Sequence, residues 1–154
     1  MNDRTPPVSR GRRRVLRAAG AGLACVIIRP VAATPEEFAA AIRQLFGDRE
    51  IRAGRINFEV PRLAENGSIV PVTITVDSPM TEQDYVQSIH LFAESNPQPR
   101  ILDVTLGPYN ARPRVATRVR VAISQHLHAI AAMSDGSLWS TAVEVEVTVG
   151  GCAP

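Results

Sequence analysis

Strict alternation of apolar and polar residues is the feature that most constrains this chain. Every second residue is Val or Ile in the segment 70–76, and every second residue is Val in the segment 143–149. Successive side chains of a strand point to opposite faces of its sheet, so each segment predicts a strand with one buried face. Residues that favour turns separate such segments, at Asn66-Gly67, Asp77-Ser78-Pro79, Asn96-Pro97 and Asp135-Gly136. The chain beyond residue 47 is therefore predicted to be all-β.

About seven strands are expected. The candidates are 56–60, 70–76, 86–94, 101–106, 115–123, 127–133 and 138–149. Seven short strands with turns between them are typical of a two-sheet, immunoglobulin-like sandwich. Pro71 has no N–H to donate, so the second of these strands is predicted to be an edge, or to pair at that point on its other side only.

One short helix is predicted before the strands. Thr34 followed three residues later by Glu37 forms a capping box, with Pro35 at the first helical position. Apolar residues then recur at helical spacing as far as Phe46, and Gly47 ends the pattern. The helix is therefore expected to run from about residue 35 to residue 46.

Residues 1–33 are predicted to be an export signal. They combine seven arginines and one acid with an apolar run from Ala18 to Ile28 and small residues up to Ala33. The segment Arg12-Arg13-Arg14-Val15-Leu16-Arg17 resembles the twin-arginine pattern, which directs export of folded proteins to the periplasm. The apolar run is well short of the roughly 20 residues that span a bilayer, so no stable membrane anchor is expected.

The charge of the remaining chain excludes a nucleic-acid-binding protein. The formal net charge of +2 comes from the signal, because residues 34–154 carry 10 arginines and 14 acidic residues, a net charge of −4. Nucleic-acid binding requires a basic surface that neutralises phosphates. The sequence also has no recognisable cofactor motif, and no cofactor is expected.

A lone cysteine near the C-terminus is the strongest functional signal. Cleavage after Ala33 would remove Cys25 and leave Cys152 alone, in the tail Gly150-Gly151-Cys152-Ala153-Pro154. The chain thus divides into residues 34–149, a helix plus a sandwich domain, and residues 150–154, an arm that the two glycines make flexible. Extended at about 3.3 Å per residue, this arm would carry the sulfur roughly 10 Å beyond the last strand.

The chemistry of this thiol indicates that it carries a covalently bound group on which other enzymes act. A thiolate is a strong nucleophile and a good sulfur acceptor, but an exposed thiol is mostly protonated at neutral pH, so partner enzymes would have to activate it. No base is visible beside Cys152 in the sequence. An incidental terminal cysteine, or one that links two copies of the chain, is the alternative.

Two other sets of residues suggest binding sites. His126 and His128 lie two residues apart on a predicted strand, and with Cys152, or with His90 as a further ligand, they suggest a periplasmic metal-binding or metal-delivery protein as the alternative function. Glu94 has no evident pairing partner. The second set would attract anionic substrates or an acidic partner, or form a solvated face or a subunit rim with pairing to acids such as Glu144 and Glu146. It consists of Arg112, Arg114, Arg118 and Arg120.

Several blocks of sequence together resemble one known family, the Y subunit of the thiosulfate-oxidising (Sox) carrier, or SoxY family. The resemblance spans the whole chain and includes the twin-arginine signal and the Gly-Gly-Cys tail. The other blocks are Glu65-Asn66-Gly67 with Val70-Pro71-Val72, Val76-Asp77-Ser78-Pro79-Met80-Thr81, Ile89-His90-Leu91-Phe92-Ala93-Glu94 with Asn96-Pro97, Ser124-Gln125, and Met133-Ser134-Asp135-Gly136-Ser137 with Trp139.

The resemblance implies a carrier without enzymatic activity of its own. It implies an immunoglobulin-like protein that forms a heterodimer with a smaller Z subunit and holds sulfur intermediates on Cys152. A cytochrome would couple thiosulfate to this cysteine, a hydrolase would release sulfate, and in some pathways a dehydrogenase would oxidise the remaining sulfane. The chain departs from the family's tail where Ala153-Pro154 replaces two glycines. Because Pro fixes its own φ and restricts the preceding residue, the tip is expected to be stiffer.

Overall fold

The computed structural model describes residues 32–151. Residues 1–31, which include most of the predicted export signal, and the residues Cys152, Ala153 and Pro154 lie outside this range. Within it no helix is long and apolar enough to cross a membrane. The elements are α1 (Pro35–Phe46), β1 (Ile51–Ala53), β2 (Ile56–Glu59), β3 (Leu63–Asn66), β4 (Val70–Val76), β5 (Val86–Ala93), β6 (Arg100–Thr105), β7 (Arg114–Val119), β8 (Gln125–Met133) and β9 (Leu138–Val149).

The predicted helix is confirmed with its bounds. The Glu37 N–H donates to Thr34 Oγ1 over 3.3 Å, and the Thr34 N–H donates to Glu37 Oε2 over 2.8 Å, which is the reciprocal capping box. At the other end Gly47 takes a φ of 66° and donates its N–H to the Arg43 carbonyl. A left-handed φ is readily adopted by glycine, which explains why the helix ends there.

Two sheets form the predicted sandwich. The larger has the strand order β1-β9-β8-β5-β6, with β3 also pairing with β9, and the smaller has the order β2-β4-β7. One apolar core joins them, because side chains such as Ile74 of the small sheet and Leu91 and Val145 of the large sheet belong to a single buried cluster. The all-β, immunoglobulin-like class with one short helix is confirmed.

Strand β4 shows the predicted alternation. Its four aliphatic residues at every second position are at most 2% exposed, whereas Pro71 faces outward and is exposed. Pro71 lies opposite Arg118 of β7, and β2 pairs with β4 only from Thr73 to Val76. The prediction that Pro71 is paired on one side only is therefore confirmed.

The helix forms a third layer on the outer face of the large sheet. Phe46 packs there with Phe92 of β5, Ile130 of β8 and Leu138 of β9, and Phe38 lies at the edge of this second apolar cluster. Burial of each such large side chain contributes about 1.5–3 kcal/mol relative to its exposure. The helix is thus attached by the apolar face that its periodicity predicts.

The strands of the structure differ from the prediction in three ways. The short strands β1 and β3 were not predicted, and both pair in parallel with β9. The strand predicted over 115–123 ends at Val119, because the following residues form a loop held by other hydrogen bonds. The buried face of β9 does not reach its end, since Val149 is 62% exposed.

Candidate functional site

The end of β9 is held on both sides before the chain reaches its cysteine. On one side the Gly67 N–H, just after β3, donates to the Val149 carbonyl over 2.8 Å. On the other side the Val147 N–H donates to Ser124 Oγ over 2.9 Å. The strand that leads to the tail is therefore fixed in the sheet as far as its last residue.

The two glycines of the tail also contact the sandwich. The Gly151 N–H donates to the Val121 carbonyl over 3.0 Å, and the Val121 N–H donates to the Gly67 carbonyl over 2.7 Å. Ser68 Oγ lies 3.5 Å from the Gly151 carbonyl oxygen, and Gly151 is buried. Three segments thus meet where the chain leaves the domain, and we call them the tail seat. They are 66–69, 120–124 and 149–151.

Close packing of backbones gives the glycines of the tail seat a second role. A Cβ atom on Gly151 would overlap the carbonyl oxygen of Gly67 and lie 2.7 Å from that of Val121. A Cβ atom on Gly150 would lie 2.5 Å from the carbonyl oxygen of Ala122. From the sequence, Gly150 and Gly151 are expected to make the arm flexible. The structure adds a steric requirement for glycine at both positions. Cys152 itself lies outside the described residues.

Two buried amide side chains shape the 120–124 loop of the tail seat. Asn96 Nδ2 donates to the Arg120 carbonyl over 2.8 Å, and Asn96 Oδ1 accepts from the Ala122 N–H over 2.8 Å. Gln125 Nε2 donates to Asn96 Oδ1 over 2.9 Å and to the Ile123 carbonyl over 3.0 Å. The sequence identifies Asn96 only as a turn residue, and it does not show this role because the partners lie more than 20 residues away.

Exposed apolar side chains surround the tail seat. Among residues 32–151, the five large apolar side chains with high exposure are Leu63, Ile69, Tyr109, Ile123 and Val149. Ile69, Ile123 and Val149 belong to the three segments of the tail seat, one to each. Tyr109 lies at the other end of the sandwich, in the loop from which β7 starts toward Val119 and the seat.

The histidine pair binds a carboxylate that sequence reasoning did not connect to it. Glu94 Oε1 lies 2.8 Å from His128 Nε2, and Glu94 Oε2 lies 3.4 Å from His126 Nδ1. The expectation that Glu94 has no partner was therefore wrong. Partial burial raises the pKa of Glu94, but the hydrogen bonds and charges of His128 and His126 outweigh it and hold that pKa below its ordinary value.

The three histidines do not converge on one site. His90 Nδ1 lies 2.6 Å from Asp103 Oδ1, and His90 Nε2 lies 2.8 Å from Ser88 Oγ, with the Phe46 ring packed edge-on against the imidazole. Within residues 32–151 no group of three or more His, Cys, Asp or Glu residues has an arrangement that could hold a metal ion. The geometry of these residues does not favour the metal-binding alternative.

The arginine-rich stretch lies along the free edge of the small sheet. Arg114 and Arg118 belong to β7, which pairs with β4 on one side only, and all four arginines of the stretch are exposed. None of the four makes an ion pair with a residue in the range 32–151. The four arginines therefore form a solvated face, and pairing with Glu144 and Glu146 does not form within residues 32–151, because these acids lie on β9 of the other sheet.

Comparison with known proteins places the chain in a family. A family model described as sulfur oxidation protein SoxY matches residues 42–152. The chain belongs to the SoxY family. The matched segment of this SoxY chain ends at Cys152, so the match includes both the tail seat and the cysteine.

Solved structures agree with this assignment. The sulfur carrier protein SoxY from Chlorobium limicola f thiosulfatophilum is 29% identical, with a TM-score of 0.62, over 74% of this chain and 98% of that chain. Superoxide reductase (Neelaredoxin) from Ignicoccus hospitalis is 19% identical, with a TM-score of 0.57, over 63% of this chain and 94% of that chain. The latter likeness shows the fold alone. No curated protein matches the chain significantly. Together the family match and the SoxY structure support a role as a sulfur carrier.

Proposed function

We propose that this SoxY protein is a periplasmic carrier that holds sulfur intermediates of thiosulfate oxidation covalently on Cys152 and presents them to partner enzymes. The observation that carries the proposal is the tail seat. It fixes Gly151 at the surface of the sandwich, and the next residue in the chain is the cysteine. A folded domain that holds the residue next to a thiol is suited to delivery of a bound group, because the thiol is the part that enters another protein.

The loading step forms one sulfur–sulfur bond. The Cys152 thiol releases its proton to solvent, and its sulfur bonds to the outer sulfur of thiosulfate, which gives a Cys–S–S–SO₃⁻ group. Two electrons leave in this oxidation, and a partner cytochrome accepts them. The carrier supplies the nucleophilic sulfur and its position, and the cytochrome supplies the oxidising equivalents.

The unloading step is a hydrolysis and needs no oxidant. A hydrolase adds water to the terminal sulfur, whose bond to the inner sulfur breaks, so sulfate and a proton are released and a persulfide remains on Cys152. A dehydrogenase would then oxidise that sulfane sulfur and pass the electrons to an electron-transfer partner such as a cytochrome. We further propose that the carrier works as a heterodimer with a Z subunit and reaches the periplasm by the twin-arginine route. The sequence blocks and the signal-like residues 1–33 support these points.

Mass spectrometry of the C-terminal peptide tests the carrier function. The mature heterodimer is incubated with thiosulfate and the coupling cytochrome, and the Cys152 peptide is expected to gain the mass of one thiosulfate-derived group. Cys152→Ser is the matched control and should gain none. An unmodified wild-type peptide under conditions that reduce the cytochrome would contradict the proposal. Metal analysis of the wild type and of a His126→Ala, His128→Ala double variant tests the alternative function.

A further inference from the structure

We propose that three exposed apolar side chains around the tail seat form a docking rim for the enzyme that loads Cys152. The rim consists of Ile69, Ile123 and Val149, which are 60%, 47% and 62% exposed. Its occupant is the mouth of an enzyme's cleft, bordered by apolar side chains. The inference rests on the proposed function, because it assigns a contact surface to the delivery of the bound sulfur.

The short spacing between the seat and the cysteine requires direct contact. Gly151 is hydrogen-bonded to Val121, and Cys152 is the next residue in the chain. Consecutive Cα atoms are 3.8 Å apart, so with its side chain the Cys152 sulfur lies within roughly 7 Å of the Gly151 Cα. While Gly151 is seated, an enzyme that attacks this sulfur must therefore come into contact with the surface around the seat.

The rim residues are placed by the backbone bonds of the tail seat. Ile69 follows Gly67 by two positions, Ile123 follows Val121 by two, and Val149 precedes Gly151 by two. Since Gly67, Val121 and Gly151 are joined by hydrogen bonds, the three apolar side chains all lie close to the point where the tail leaves.

The composition of this surface fits a protein partner. Single exposed apolar residues are common, but an apolar group with polar neighbours marks a site of protein contact. Polar side chains border the rim, with Ser68 beside Ile69 and Ser124 beside Ile123.

Loading kinetics with rim variants test the inference. The mature heterodimer is prepared as wild type, as an Ile69→Ser, Ile123→Ser double variant, and as Tyr109→Ser, which removes an exposed apolar residue at the opposite end. The initial rate of the Cys152 adduct is measured against carrier concentration, with thiosulfate and the coupling cytochrome. The KM for the double variant is expected to rise about tenfold, as for loss of an apolar contact in an interface, and Tyr109→Ser should match the wild type.

A second measurement separates docking from damage to the seat. Alkylation of Cys152 by iodoacetamide needs no docking, so its rate should be equal in all three proteins. An unchanged KM in the double variant overturns the rim, as does an equal rise in Tyr109→Ser. A raised KM together with a changed alkylation rate also counts against the rim, because the effect then belongs to the seat. Absence of the adduct in the wild type contradicts the carrier function instead.

Discussion

Substitution of Gly67 by Ala tests whether the tail seat depends on close backbone packing. The added Cβ atom would overlap the Val121 carbonyl oxygen and lie 2.7 Å from the Gly151 nitrogen and 2.8 Å from Val147 Cγ1. Two of these three neighbours are backbone atoms, which cannot move as the end of a flexible side chain can. Relief of the overlap therefore requires that segments of the seat separate.

The cost follows from the contacts that would be strained or lost. Overpacking of a close-packed site costs about 1–3 kcal/mol. Separation of the segments would also weaken two hydrogen bonds, Val121 N–H to the Gly67 carbonyl and Gly151 N–H to the Val121 carbonyl. A net contribution of about 0.5–1.5 kcal/mol for each bond places the total loss at about 2–6 kcal/mol in the free energy of unfolding, the upper value applying if both bonds are lost. This is a large share of the roughly 5–15 kcal/mol that is typical of the free energy of unfolding of a domain.

Urea denaturation followed by circular dichroism measures this loss. Gly107→Ala is the matched control, because its Cβ would lie 4.0 Å from the nearest atom, Asn110 Oδ1, and its backbone is not left-handed. The control should stay within about 0.5 kcal/mol of the wild type or gain slightly. Hydrogen exchange of the Gly151 amide should become faster in Gly67→Ala. Stability of Gly67→Ala within about 0.5 kcal/mol of the wild type would refute the reasoning.

Two further predictions concern Asn96 and Glu94. Asn96→Ala should lower the free energy of unfolding in urea by about 2–3 kcal/mol, because it leaves the buried partners of the amide unpaired. The control Asn57→Ala, at an exposed position, should lower it by less than about 0.5 kcal/mol. Equal losses in the two variants would contradict the role of Asn96. The folded pKa of Glu94 is lowered, so its stabilisation is present above its ordinary pKa and is lost as pH falls through the folded pKa. The free energy of unfolding in urea should therefore fall further from pH 6 to pH 3 in the wild type than in Glu94→Gln. The difference should be less than about 1 kcal/mol because the carboxylate is partly exposed, and parallel curves would contradict the pairing with His128.

Local signals in the sequence predicted the helix and the long strands. The capping box at Thr34 and the alternation of β4 depend on residues close to one another in the chain, so they can be read without the fold. Strands β1 and β3 have three and four residues, too few for a period, and they form because β9 lies beside them. Their partners are more than 80 residues away, as shown by Leu63 opposite Glu146.

The candidate site shows the same division. Cys152 and its glycines stand out in the sequence because a lone thiol after two glycines is unusual by composition. The contacts of Gly151 with Val121 and Gly67, and the pairing of Glu94 with His128, join segments that are far apart in the chain. Sequence reasoning therefore identified the reactive residue, but it could not show how the domain holds the residues before it.

The position of β9 links completion of the fold to possession of the cysteine. Strands β1, β3 and β8 all pair with this last strand, which ends three residues before Cys152. A chain whose synthesis stops before Leu138 lacks β9 and leaves three strands without their neighbour, so its sandwich is expected not to close. Most premature stops that would remove the thiol therefore also remove the strand on which the fold depends.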